Sequence, residues 1–501
     1  VASVAFEEGS LTIDTTVVGR ELRSTAVRQG SRATILGTLT RRSSLYDVVI
    51  IGAGPGGYAA ALYAHNFGLS VALIEKDQQV GGTCLNRGCI PAKHWLYTAE
   101  VYSTVKNAAT FGVTSGEPSI DWGVALARKN DIVGGLTKGL AGLLRSRGVE
   151  LVSGFGRLDG PGKVRVIGPE GEQVLEGRSV IVATGSAPRS IPGYEIDGTH
   201  IITSDEALDW ATRPQRVAII GAGAIGCEFA SMLVDVGSEV HLFEMMDQIV
   251  PGADADAAAE LAKNLKRHGV KIRTSVQVGA PQIGGSGVVV PFGDDSVEVD
   301  VVLVAVGRRP LTEGVGLEAT KVTLDRGYVE VDRATMQTAE PGVYAVGDIV
   351  AGTPQLAHVG FAEGIAAITY IATGETQPVD YRAIPLVVYT HPEMAEVGFS
   401  EAKAKELGYE VEVATHGFTG VGRAKIIGQN RGIVKIVFEK NGPILGASIV
   451  GPQAGEMIHE MMYAVGWEAL PSEAAAFIHA HPTLSEAVGE TLLTASGKSL
   501  H

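Results

Sequence analysis

Cys84 and Cys89 stand five positions apart in Gly81-Gly82-Thr83-Cys84-Leu85-Asn86-Arg87-Gly88-Cys89-Ile90-Pro91-Ala92-Lys93. The chain of 501 residues has one further cysteine, Cys227. Three cysteines are too few for a structural disulfide framework, so a close pair between Gly-Gly and Pro points to thiol chemistry. In a regular helix five residues rise about 7.5 Å, and a disulfide tolerates Cα atoms only to roughly 7 Å. If the two pair, the segment is distorted or precedes a regular helix. Gly81, Gly82, Gly88 and Pro91 can supply that distortion. A helix N-terminus here, with Arg87 and Lys93 close by, would favour a thiolate. The plainer alternative is two buried small apolar side chains.

A second set of titratable residues lies in His479-Ala480-His481-Pro482-Thr483-Leu484-Ser485-Glu486. Histidine titrates near neutrality, and a carboxylate can hold its tautomer and raise its basicity. Taken alone, a histidine pair near a C-terminus is more often structural. Cys227, in an apolar helical stretch, reads as packing.

Two stretches have the pattern needed to hold a dinucleotide beside such a dithiol. Tyr46-Asp47-Val48-Val49-Ile50-Ile51 predicts a buried parallel strand. Gly52-Ala53-Gly54-Pro55-Gly56-Gly57 follows, then an Ala-rich helix over 58–67, Gly68, and a second strand over 71–74 ending in Glu75. This is the Rossmann fingerprint: Gly52 for the turn, Gly54 for pyrophosphate approach, Gly57 for helix packing, and Glu75 for a ribose 2′-hydroxyl. The pattern returns with Gly221, Gly223, Gly226, Gly237 and Glu244, at a constant offset of 169 residues. One nucleotide-binding unit is therefore duplicated. Glu244 accepts from a free 2′-hydroxyl and repels a 2′-phosphate, and no arginine follows it in Met245-Met246-Asp247. The second site should take NAD rather than NADP.

The totals set bounds. A chain this long needs three or so domains, and its 65 glycines suit an α/β protein with many tight turns. A formal net charge of −15 argues against nucleic acid or an anionic membrane as partner. No apolar run reaches the roughly 18 residues that span a bilayer. Few cysteines and no secretory pattern point to a reducing, cytoplasmic setting. Residues 1–44 are polar and Ser/Thr/Arg-rich. Arg20, Arg23, Arg28 and Arg32 suit an organelle presequence that would place the protein in a matrix, whereas Glu7, Glu8, Asp14 and Glu21 oppose one. Little packed structure is expected there. No metal is expected.

The dithiol stretch resembles the pattern G-G-T-C-x-N-x-G-C-[IV]-P-x-K of the flavin-dependent pyridine nucleotide-disulfide oxidoreductases, most closely the branch that oxidises dihydrolipoamide. The resemblance runs from about residue 45 to the C-terminus. It implies a redox-active disulfide between Cys84 and Cys89, tightly bound FAD at the first glycine turn, and exchangeable NAD⁺/NADH at the second. Lys93 resembles the lysine near the flavin, and Glu228 the glutamate that pairs with it and approaches the nicotinamide. Read blind, both would be solvated helix charges. Thr184 and Gly185 resemble the strand end where the chain leaves the flavin domain. Gly307, in Gly307-Arg308-Arg309-Pro310, resembles the exit from the NAD domain. Asp348 resembles the aspartate on the flavin ribitol, and Ala357 the helix start by the isoalloxazine. His481 resembles the acid/base of His-Pro-Thr-x-x-Glu, oriented by Glu486 and reaching the dithiol of the other subunit, which implies a homodimer.

The expected fold class is α/β, with two Rossmann-like dinucleotide-binding domains and a C-terminal α+β dimerisation domain. The expected boundaries are a flexible extension at 1–44, an FAD-binding domain at 45–188 and 309–383, an NAD-binding domain at 189–308, and an interface domain at 384–501. The implied partners are lipoyl domains of acyltransferase components or the glycine cleavage carrier protein. A glutathione-type reductase would favour NADP, against Glu244. Mercuric and large thioredoxin reductases carry extra C-terminal redox residues, and no cysteine follows Cys227 here. A non-catalytic, NADH-sensing flavoprotein would not need Cys84, Cys89, His481 and Glu486 together.

Overall fold

The computed structural model describes residues 45–500 apart from 286; the expectations placed on residues 1–44 lie outside them. The first strand, Leu45–Ile51, buries Val48, Val49 and Ile50 completely, as a strand covered on both faces requires. It pairs in parallel with Val71–Glu75 on one side and with Gly171–Val182 on the other. Glu150–Ser153 extends the sheet beyond Val71–Glu75, and Val343–Ala345 adds in parallel beside Gly171–Val182. Phe155–Leu158, Lys163–Gly168 and the first half of Gly171–Val182 form an antiparallel meander. That last strand thus joins the meander to the parallel sheet.

A second parallel sheet has the order Lys271–Arg273, Glu239–Phe243, Arg216–Ile220, Val301–Val304, Ile201–Ile202. A small antiparallel sheet of Gln282–Gly284, Gly287–Phe292 and Asp295–Val299 lies beside it. The C-terminal part is an antiparallel sheet ordered Leu386–Val388, Glu393–Gly398, Ile444–Gly451, Ile433–Glu439, Val411–Gly417. Its core includes Met457, Ile458 and Met461 of the helix Ala454–Gly466 and Val488 and Leu492 of the helix Glu486–Ala495. The fold class is therefore α/β with a C-terminal α+β unit, as expected. Among the described residues no helix is long and apolar enough to cross a membrane.

Both parallel sheets turn into their first helix at a glycine that nothing else can replace. Gly52 has φ +105° and Gly221 φ +98°. A Cβ there would lie 2.3 Å from the Ala183 carbonyl oxygen and 2.5 Å from that of Ala305. Gly57 and Gly226 would place a Cβ 1.8 and 1.9 Å from the carbonyl oxygens of Gly52 and Gly221. The offset of 169 residues thus marks the same steric solution used twice.

Two further contacts position the site. The helix Pro55–Ala64 crosses the helix Ala357–Thr373 on small residues, and a Cβ at Gly364 would meet the Gly56 oxygen at 2.7 Å. In the C-terminal sheet, Lys435 is buried and its ammonium donates to Asp254 (3.0 Å), Asp256 (2.6 Å) and Glu401 (2.8 Å). Asp256 begins the helix Ala255–His268, so this cluster ties the C-terminal sheet to the second parallel unit. Removing one partner of such a buried pair typically costs about 3–5 kcal/mol.

Candidate active site

The dithiol segment is two helices with a break between the sulfurs. The helix Gly82–Arg87 ends at Gly88 (φ −144°, ψ −112°), and the helix Cys89–Lys106 starts immediately after it. A Cβ at Gly88 would lie 2.9 Å from the Thr83 carbonyl oxygen, so the break needs glycine. This is the distortion expected if the cysteines are to meet. Here both are thiols. Trp95 anchors the second helix: it is buried, stacks on Trp122 at 4.6 Å, and donates its indole N–H to the Leu208 carbonyl at 3.0 Å.

The two sulfurs are electrostatically unequal. The Cys84 thiol and burial lead the influences on Cys89: the thiol draws its pKa down and burial opposes. The Lys93 ammonium adds to the lowering, and the result is about 7. Cys84 is pushed up by its partner sulfur and by burial. These directions favour a thiolate on Cys89, at the first position of a helix, over one on Cys84. Arg87 takes no part, contrary to the reading that placed it beside the thiolate. Its guanidinium lies 2.6 Å from Asp77 and 3.9 Å from Asp205.

Lys93 and Glu228 are not solvated helix charges. Lys93 Nζ donates to both oxygens of Glu228, at 2.9 and 2.8 Å, across 135 residues. Glu228 is buried and also accepts the Tyr389 N–H at 3.0 Å, while Lys93 sits 4.5 Å from the centre of the Tyr389 ring. The ion pair joins the dithiol helix to the helix Ala224–Asp235 that follows the second glycine turn.

The two strand-end acids hold matching positions. Glu75 accepts the N–H groups of Ala53 (2.8 Å) and Asp77 (2.9 Å). Glu244 accepts those of Ala222 (2.7 Å) and Met246 (2.9 Å). Each carboxylate thereby closes its own glycine turn and keeps lone pairs for a ligand. Burial pushes the Glu75 carboxyl up, against these N–H bonds.

One continuous cavity of about 1230 Å³ runs between the two turns. At one end Gly52, Gly54, Glu75, Thr184, Gly185 and Asp348 line it; at the other Gly221, Gly223, Glu244 and Gly307 do. Cys84, Cys89, Lys93, Glu228 and Ala357 lie along it. Gly57 and Gly226 are buried beneath their turns. His481 and Glu486 are not among its lining residues. His481 Nδ1 lies 2.7 Å from Glu486, whose other oxygen accepts the Thr483 N–H at 2.8 Å, and the imidazole is 78% exposed. His479, the competing histidine, pairs with Glu460 at 2.9 Å.

The model of the pyridine nucleotide-disulphide oxidoreductase family matches residues 46–364, and that of the dimerisation domain of pyridine nucleotide-disulphide oxidoreductases matches residues 384–492. The chain belongs to this family. It is 39% identical over 472 residues to a dihydrolipoyl dehydrogenase of Bacillus subtilis, covering 91% of this chain and 99% of the relative. It is 40% identical over 465 residues to a mitochondrial dihydrolipoyl dehydrogenase of Pisum sativum, covering 91% and 92%. The crystal structure of LpdA from Mycobacterium tuberculosis superposes with a TM-score of 0.83 at 29% identity, covering 89% of this chain and 99% of that one.

In this oxidoreductase, sequence reasoning missed several groups at the cavity and behind its lining residues. Arg308 donates to Ser186 Oγ (2.7 Å) and to its carbonyl (2.9 Å), and Ser186 in turn donates to Asp348. Tyr389 braces the Lys93–Glu228 pair. Asp205 lies by Arg87 with a buried oxygen that has no partner among the described residues. None of these has a local spacing to give it away; a chain position next to Gly307 was the one hint, for Arg308. His358, second in the helix Ala357–Thr373, lies 2.9 Å from the Pro385 carbonyl through Nε2. Cys227 is fully buried, and its thiol contacts the Ala222 carbonyl.

Proposed function

We propose that the protein is a dihydrolipoyl dehydrogenase, which oxidises protein-bound dihydrolipoamide to lipoamide and reduces NAD⁺ to NADH. The observation that carries this is the unequal dithiol set between two duplicated glycine turns in one cavity. FAD fits the first turn: Gly54 leaves room for a pyrophosphate at a helix N-terminus, Glu75 offers a free lone pair, and Asp348 lines the same end of the groove. A cavity this size exceeds the usual range for one small ligand, about 300–1,000 Å³, and suits two nucleotides. Bound there, the flavin supplies the two-electron link between the dithiol and the nicotinamide.

The residues of the chain divide the remaining work. His481 of the partner subunit takes a proton from one substrate thiol, with Glu486 holding its tautomer. The substrate thiolate attacks Cys84 Sγ of the Cys84–Cys89 disulfide, and Cys89 leaves as a thiolate beside Lys93. The second substrate thiol attacks the substrate's own sulfur in the mixed disulfide. Lipoamide forms, and Cys84 leaves as the thiol that holds the proton. The substrate is oxidised by two electrons and the enzyme disulfide reduced by two. Exposed Phe477 and Ile478, a few residues before this base in the chain, support the homodimer that the dimerisation domain provides.

The same reading divides the chain at 188, 308 and 383 and takes the lipoyl domains of 2-oxoacid dehydrogenase complexes or of glycine cleavage as partners. It sets the protein in the cytoplasm, or in an organelle matrix if residues 1–44 direct it there. Purified yellow protein mixed with dihydrolipoamide should reduce NAD⁺ and not NADP⁺. Cys84→Ser should keep bound FAD and lose this turnover. Turnover by Cys84→Ser equal to that of the parent would overturn the mechanism.

A further inference from the structure

Away from the cavity, three side chains converge that the sequence keeps far apart. Asp235 ends the helix Ala224–Asp235, His268 ends the helix Ala255–His268, and His391 lies in the loop before the strand Glu393–Gly398. Their ligand-type atoms all lie within 4.8 Å of one another. Asp235 Oδ1 is 2.9 Å from His268 Nδ1, and Asp235 Oδ2 is 3.4 Å from His391 Nδ1. His391 Nδ1 is buried and has no hydrogen-bond partner of good geometry among the described residues.

We propose that Asp235, His268 and His391 form a site for a divalent transition cation, Zn²⁺ by class, that clamps the second nucleotide unit to the C-terminal sheet. With one donor atom from each residue the three lie within 4.8 Å of one another, so small side-chain shifts bring them to the roughly 3.3 Å separations that tetrahedral zinc with bonds of about 2.0–2.1 Å needs. Two imidazoles and a carboxylate form a donor set suited to zinc, with a fourth position left for water. The two histidines are about one-third exposed, so that position can face solvent.

The frame is built before any ion arrives. The His391 N–H donates to Ser231 Oγ at 2.9 Å, one helical turn before Asp235, so helix and loop are already in register. The same helix carries Glu228, which accepts the N–H of Tyr389, two residues before His391. A cation here therefore ties the loop that braces the Lys93–Glu228 pair.

The test uses untagged, full-length, FAD-loaded protein in the oxidised state, chelator-treated and titrated with Co²⁺ and Zn²⁺. One Co²⁺ per subunit should bind with visible ligand-field bands, and Zn²⁺ should raise the thermal midpoint. His268→Gln, at an exposed position, should weaken binding at least about tenfold and abolish the Zn²⁺-induced shift, with metal-free lipoamide turnover unchanged. Asp235→Asn should weaken binding likewise. Cys84→Ser should bind Co²⁺ as the parent does. Failure to bind one equivalent, equal binding by His268→Gln, or loss of binding in Cys84→Ser would each overturn the site.

Discussion

Replacing Glu244 by alanine should collapse the preference for NAD⁺ over NADP⁺. The carboxylate is nearly buried, and it is held by the N–H groups of Ala222 and Met246, so it cannot swing away from an incoming 2′-phosphate. With NAD⁺ the variant loses a charged hydrogen bond, worth about 1.5–3 kcal/mol. With NADP⁺ it loses a repulsion of about 1 kcal/mol if water fully screens the two charges at 4 Å, and about 4 kcal/mol at an effective dielectric of 20. The smaller values together give about 2.5 kcal/mol, roughly a 70-fold change in the ratio of kcat/KM values. Steady-state kinetics with dihydrolipoamide and each nucleotide would measure it. Glu244→Gln removes the charge but keeps one acceptor, and should fall between parent and alanine. FAD content and thermal midpoint report on the two N–H groups left without an acceptor, which cost stability but not specificity. A ratio that moves less than about fivefold in a folded, FAD-loaded variant would refute the assignment of Glu244 as the selector.

Three further outcomes follow from other contacts. In the reduced enzyme, Lys93→Met should raise the alkylation pKa of Cys89 and Glu228→Gln should lower it, because the ammonium favours the thiolate and the carboxylate opposes it; shifts in the same direction in iodoacetamide rate profiles would contradict the electrostatics. Burial lifts the Glu363 carboxyl from 4.5 to about 7 against the Gly347 N–H and the Tyr381 hydroxyl. Its stabilising contribution is therefore full below pH 4.5 and lost by about pH 7, a change of about 3 kcal/mol, and Glu363→Gln should flatten urea stability between pH 5 and 8. An unchanged slope would remove Glu363 as its source. Glu486→Gln should lower dihydrolipoamide turnover about 10²-fold while sparing NADH oxidation by a quinone, which does not need the base; equal losses in both assays would argue for a structural role.

What the sequence disclosed was what local sterics and local chemistry demand. The duplicated turns were legible because Gly52, Gly57, Gly221 and Gly226 each sit where a Cβ would strike backbone within a few residues or across one strand. The dithiol was legible because cysteine is rare here and Gly88 must break the helix between the sulfurs. The support around them was not. Tyr389 reaches Glu228 across 161 residues, and Arg308 reaches Ser186 across 122. Such contacts depend on how sheets stack, and a tyrosine or arginine on a loop leaves no periodic mark. Lys93 and Glu228 read alone as surface charges, and only their meeting across 135 residues makes them an ion pair. Arg87 failed in the opposite direction: close in sequence to Cys89, it is claimed by Asp77.

That last contact sets the edges of the twin cradles apart. Where the first turn continues into Lys76 and Asp77, the second continues into Met245 and Met246, which are exposed. Asp77 pairs with Arg87 of the dithiol segment at 2.6 Å. The Arg87–Asp77 pair fastens the continuation of the first turn to the segment that carries Cys84 and Cys89, whereas the second turn continues into two flexible thioethers. The same backbone solution, copied once, thus has a fastened edge at one end of the groove and a pliant edge at the other.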